Sequence, residues 1–186
     1  MEMKGTLRDL RMNSVKTLRM GFLNVDDRLL IDFVHADRIE TMLVTRRILR
    51  RIIIAMADVL ARSSPVVARV PASHKSEMLA WEHLSALQPE GEGEAGSEQP
   101  AQQQRPAQPW HLLAKLDINT QPNIFHLRFE DDTGMLVTMA MNRAELHRLL
   151  ANLRQLARHA EWDIDSEVGW LVEADAPQMH PGNLAS

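Results

Sequence analysis

Two segments of this chain alternate apolar and polar residues and then switch to helical spacing at a polar capping residue. That switch restricts the fold more than any other feature. DRLLIDF alternates at Leu29, Ile31 and Phe33, as on a half-buried strand. His35-Ala36-Asp37 supplies turn chemistry, and Ile39, Thr41 and Leu43 alternate again. Thr45 then stands where a helix N-cap belongs, ahead of a helix from Arg46 to about Arg62 that Ser63-Ser64-Pro65 ends. Further along, Phe125, Leu127 and Phe129 alternate, Asp131-Asp132-Thr133-Gly134 turns, and Met135, Val137 and Met139 alternate. Asn142, with Glu145 three residues on, opens a second helix through Arg158 as a capping box.

An offset of 96 residues superimposes the segments without a gap, Phe33 on Phe129 and Arg47 on Arg143. MGFLNV and KLDINT supply a matching earlier strand, Met20 and Phe22 against Leu116 and Ile118. The expected fold is α+β, with two tandem β-β-β-α units over residues 15–87 and 110–172. Internal duplication would produce this pattern, and so would any two strand-strand-helix segments that share a hydrophobic rhythm. Between them, SHKSEMLAWEHLSALQP spaces Met78, Trp81 and Leu84 as an amphipathic helix. Residues 88–109, QPEGEGEAGSEQPAQQQRPAQP, carry no apolar side chain larger than alanine and read as a disordered linker. Residues 1–14 and 173–186 read as a flexible N-terminus and tail, and Gly169-Trp170-Leu171 as a short edge strand.

The stretch LVTRRILRRIII raises the functional question. Arg46 and Arg50 are four apart, as are Arg47 and Arg51, forming two rows on the opening turns of a helix. A helix N-terminus carries about half a positive charge, so each cation there is disfavoured by roughly 0.3–1 kcal/mol. Three things could offset this: the hairpin acids Asp26, Asp27, Asp32, Asp37 and Glu40, an acidic protein partner, or phosphate from nucleic acid or a small anion. Arg143 and Arg154 on the second helix would extend the same surface. DRLLIDF, LVTRR and EMLAWEHLSAL together resemble a group of small bacterial proteins with no known activity. In that group a Leu-Thr-Arg-Arg-like turn joins strand to helix, and Val44 interrupts the turn here. The resemblance covers residues 19–88 and, more loosely, 110–162. It implies a cohesive fold and nothing about mechanism.

Charge is unevenly placed. Residues 1–62 hold 12 Lys+Arg against 8 Asp+Glu, leaving 9 against 17 of the chain's 21 and 25, so a basic patch can sit on a protein of net charge −4. No cysteine is present, which excludes disulfides and thiolate chemistry and fits a cytoplasmic setting. No apolar run is long enough for a membrane span, and the opening residues scatter charge where a secretory signal needs an apolar core.

No phosphate loop, nucleophile elbow or His-Glu-x-x-His motif occurs. The eight histidines, among them His83 beside Glu82 and His147 near Glu145, are expected at the surface or at caps. Asp26-Asp27 and Asp131-Asp132 are explained by turn chemistry. The chain is therefore expected not to be an enzyme and to need no metal or cofactor. The expected role is that of an adaptor or assembly protein offering Arg46, Arg47, Arg50 and Arg51, supported by Arg143 and Arg154, to an acidic protein partner. Nucleic acid bound through the same arginines is the alternative, although aromatic platforms are scarce. Four tryptophans and a Met-rich strand face could also form a homo-oligomer patch.

Overall fold

The computed structural model describes residues 15–88, 110–164 and 168–175. The expectations for residues 1–14, for the linker beyond Gln88 and for the tail beyond Asp175 lie outside the described residues. The element order is β1 (Thr17–Leu23), β2 (Arg28–Val34), β3 (Ile39–Val44), α1 (Arg46–Ser63), two short 3-10 turns, and α2 (Lys75–Leu87). It continues with β4 (Trp110–Gln121), β5 (Ile124–Asp131), β6 (Leu136–Met141), α3 (Arg143–His159) and α4 (Gly169–Asp175). The fold is α+β, as the alternation implies.

The expected strand-strand-strand-helix order occurs twice along the chain, and the six strands join in sequence order into one sheet. Both three-stranded segments are antiparallel meanders, and β3 pairs with the start of β4 in parallel at Thr41–Trp110, Met42–His111 and Leu43–Leu112. A parallel pair needs a long crossover, which α1, α2 and the intervening chain provide. The register then shifts between Leu113 and Lys115. Without that irregularity the alternation that buries Leu113 would turn Leu116 and Ile118 away from the core. Residues of β1 and of β6 line one groove of about 310 Å³ together with α3, so the sheet curls until its two edges face each other.

One sheet face buries Phe22, Leu29, Ile31, Phe33, Phe125, Leu127, Phe129 and Val137 against α1 and α3. The helices meet it with Leu49, Ile52, Ile53, Met56 and Leu60, and with Leu146, Leu149, Leu150, Leu153 and Leu156, a stripe at helical spacing in each. Phe33 and Phe129, equivalent under the 96-residue offset, touch with ring centroids 4.9 Å apart. The other sheet face carries a small separate cluster of Leu23, Leu30 and Leu43 from the first segment, with Trp110 of β4 packed on it. In the second segment that face pairs Lys115 with Glu130 and Asp117 with Arg128 across strands, an alternation of opposite charges.

Both caps form as their sequences imply. Thr45 accepts a hydrogen bond from the Ile48 amide, and Asn142 and Glu145 close a capping box. Gly169–Asp175 is a helix, which corrects the edge strand expected near Gly169-Trp170-Leu171. Helical spacing puts Trp170, Leu171 and Ala174 on the buried side and leaves Val172 exposed, whereas a strand would put Trp170 and Val172 on one face. The tryptophans do not share a surface: Trp162 and Trp170 are buried, Trp110 packs on the opposite sheet face, and Trp81 stands exposed on α2. Met135, Met139 and Met141 pack on the main core. Among the described residues no helix is long and apolar enough to cross a membrane.

Candidate functional site

The opening of α1 follows directly from its sequence. Thr45 caps it, its first turn contains no acid, and Leu49, Ile52 and Ile53 fix which side turns inward. Arg46, Arg47, Arg50 and Arg51 are all exposed as a consequence. Arg50 also engages a neighbour within the fold. Four of the hairpin acids that could have neutralised the others are engaged elsewhere. Asp32 accepts from the Thr41 hydroxyl at 2.6 Å. Glu40 holds His35 at 3.0 Å and Arg38 at 2.9 Å, Asp37 lies 3.5 Å from Arg38, and Asp27 accepts from the Trp162 indole N–H at 2.7 Å. Among the described residues, no hydrogen bond or ion pair engages the side chains of Arg46, Arg47 and Arg51.

Arg143 and Arg154, expected to extend that surface, are turned into the fold instead, and the contact set is corrected accordingly. Arg143 donates from Nε and Nη2 to the Glu82 carboxylate, from Nη1 to the Ser63 hydroxyl at 2.9 Å, and from Nη2 to the Leu60 carbonyl at 2.6 Å. It ties the N-terminus of α3 to the C-terminus of α1 and to α2 at once. Arg154, 2% exposed, donates to Asp175 of α4 at 2.6 Å, and Arg158 joins the same carboxylate.

A second polar centre lies where α2 meets α3 and α4. The rings of His83 and His147 are both buried, and their Nδ1 atoms are 3.0 Å apart. The edge of Trp170 from α4 closes over them at centroid distances of 5.5 and 6.2 Å. His147 Nε2 has no hydrogen-bond partner and sits 3.7 Å from Glu82 Oε1, too far for a hydrogen bond but within Coulombic reach. Burial would raise the Glu82 pKa, but neighbouring His147, Arg143 and Ser64 outweigh it and hold the carboxyl down to about 2. Burial, then the charges of His147 and Arg154, push His83 down to about 4, with Asp175 opposing.

The expectation that these histidines sit at the surface or at caps is therefore corrected for His83 and His147, and for His35, which is buried beside Glu40. Glu82 with His83, and Glu145 with His147, are neighbours only along their own helices. The contact that matters joins residues 64 positions apart. One signal was present: His83 falls on the same face of α2 as the buried Leu79 and Ala80.

Exposed Trp81 and Met78 line two grooves of about 510 and 420 Å³, the larger of which also reaches Glu82, Arg143 and His147. Turn carboxylate Asp131 is buried and accepts from the Thr133 amide and hydroxyl, the Met135 amide and His111. Burial works against its ionisation, yet these bonds keep its pKa below the usual range, as a turn anchor requires. Among the described residues, no group of three or more His, Asp or Glu side chains could hold a metal ion.

Comparisons with family models, curated proteins and solved structures gave no match. The functional reading rests on geometry.

Proposed function

We propose that this protein is a non-catalytic adaptor that presents the opening turns of α1 to an acidic protein partner. Arg46, Arg47, Arg50 and Arg51 are the contact residues, and Arg143 and Arg154 hold the fold together. One observation carries this reading: Arg46, Arg47 and Arg51 are exposed without side-chain partners among the described residues, and the first two occupy the first turn of a helix, where cations are disfavoured. Stability of the fold gives no reason for their placement, so an external anion supplies it. A protein carboxylate cluster suits two i,i+4 rows of guanidinium groups, each able to grip a carboxylate with two parallel bonds. The four tryptophans are buried, on the far sheet face or on α2, so α1 has no stacking platform for bases.

The test is fluorescence anisotropy with labelled acidic peptides and with DNA and RNA oligomers, at about 50 and 200 mM salt. Wild type is compared with the Arg46/Arg47/Arg50/Arg51→Gln variant. Binding of acidic peptide that disappears in the variant is the expected result. Preference for DNA or RNA, with a steep salt slope lost in the same variant, transfers the surface to phosphate. No binding to any of these probes removes the proposal.

A further inference from the structure

The geometry points to an acid-operated latch: the His83–His147 contact holds α2 on α3 while at most one of the rings is protonated, and a second proton loosens the α2–α4 layer. With Nδ1 facing Nδ1 at 3.0 Å, one ring must donate and the other accept. Two neutral rings satisfy this when His83 donates from Nδ1 and His147 keeps its proton on Nε2, facing Glu82. One added proton is also accommodated. His147 then donates from Nδ1 to His83 and turns Nε2–H toward the Glu82 carboxylate. A second proton makes both Nδ1 atoms donors, destroys the hydrogen bond and puts two cations in contact away from water.

The charges around the pair strengthen that penalty. From α2, only Glu82 faces it, and Arg143 and Ser64 already share that carboxylate. From α3, Arg143 and Arg154 add positive charge, and Arg148 is spent on the Ala86 carbonyl at 2.9 Å. From α4, Asp175 is divided between Arg154 and Arg158, and Trp170 offers only its ring. α1 and its C-cap bring the Leu60 carbonyl and the hydroxyls of Ser63 and Ser64, which carry no charge. The main core between sheet, α1 and α3, on which Leu79 of α2 and Trp170 and Leu171 of α4 also pack, is apolar.

The direction follows from the depressed pKa of His83. The docked state favours the neutral ring, so its advantage is complete above the ordinary value of 6.5 and drains away as pH falls toward about 4. Glu82, held near 2, stays ionised through that window and leaves the histidine pair as the element that changes.

Hydrogen exchange of the full chain, read by mass spectrometry at pH 8 and pH 5 and corrected for intrinsic rates, tests the latch. The opening equilibrium of α2 and α4 should rise roughly thirtyfold at pH 5, from the shift between an ordinary and a depressed histidine. Protection in β5, α1 and α3 should be unchanged. In His83→Gln, which can still donate to His147 but cannot titrate, the rise should vanish. Equal opening of α2 at both pH values, or the same rise in His83→Gln, overturns the latch. Should that variant already be loose at pH 8, an NMR titration of the wild-type ring decides. A ring still neutral at pH 5 supports the latch, and one protonating near pH 6.5 with α2 docked refutes it.

Discussion

α1 and α3 begin alike and are used differently. Each follows a strand, each is capped by a side-chain oxygen, and Arg47 and Arg143 are equivalent under the 96-residue offset. In α3 the first turn carries Glu145, whose carboxylate closes the capping box, and Arg143 is locked among Glu82, Ser63 and Leu60. In α1 the first turn carries Arg46 and Arg47 and no acid, and Arg47 reaches no partner among the described residues. The difference comes from the one-residue slip between the two caps and from α2. The latter packs on the start of α3 and brings Glu82 with it, while the start of α1 is left open to solvent. Arg143 is the first residue after its cap and Arg47 the second, so side chains matched by the 96-residue offset leave their helices in different directions, one as a structural tie and the other on the surface.

The largest expected separation comes from Arg143→Gln set against Arg47→Gln. Removing Arg143 leaves Glu82 half-buried without its main cation and frees the Leu60 carbonyl, for a loss of about 2–3 kcal/mol. Urea unfolding should show that loss and, for Arg47→Gln, a change within about 0.5 kcal/mol. Matching losses in the two variants would erase the distinction between the helices.

Cap removal should give a smaller contrast. Thr45→Ala and Asn142→Ala should each cost about 1 kcal/mol. Glu145→Ala should add a further loss in α3 only, because its carboxylate also serves the Asn142 amide at 2.6 Å. Thermal melts check this, and a neutral Glu145→Ala would mean the reciprocal bond contributes nothing.

The smallest effect has the opposite sign. Arg46→Glu should stabilise the fold by about 0.3–1 kcal/mol, because an acid in the first turn of α1 complements the helix dipole. A melting temperature that falls instead would show that Arg46 is held by the fold, and the reading of α1 as a binding surface would fail with it.

Elements whose signals are local were legible in advance. The alternation at Leu29, Ile31 and Phe33 and at Phe125, Leu127 and Phe129 marked strands, and Thr45 and Asn142 marked helix starts, because period and cap chemistry act over a few residues. The exposure of Arg46, Arg47 and Arg51 followed from the apolar stripe of Leu49, Ile52 and Ile53. The parallel pairing of β3 with β4 could not be read, since it depends on chain ends that α1 and α2 bring together. The helical state of Gly169–Asp175 was equally hidden: Trp, Leu and Val suit a strand, and burial of Trp170, Leu171 and Ala174 against α2 overrides that preference.

By itself, then, the sequence determined the strands, the helices, their caps and the outward row of arginines, all consequences of periodicity within one element. Only the tertiary structure decided that the two segments share a sheet, that Arg143 and Arg154 turn inward, and that His83 meets His147. Those outcomes depend on which faces pack together, and a buried polar group acquires its partner, and with it its charge state, only when that packing forms.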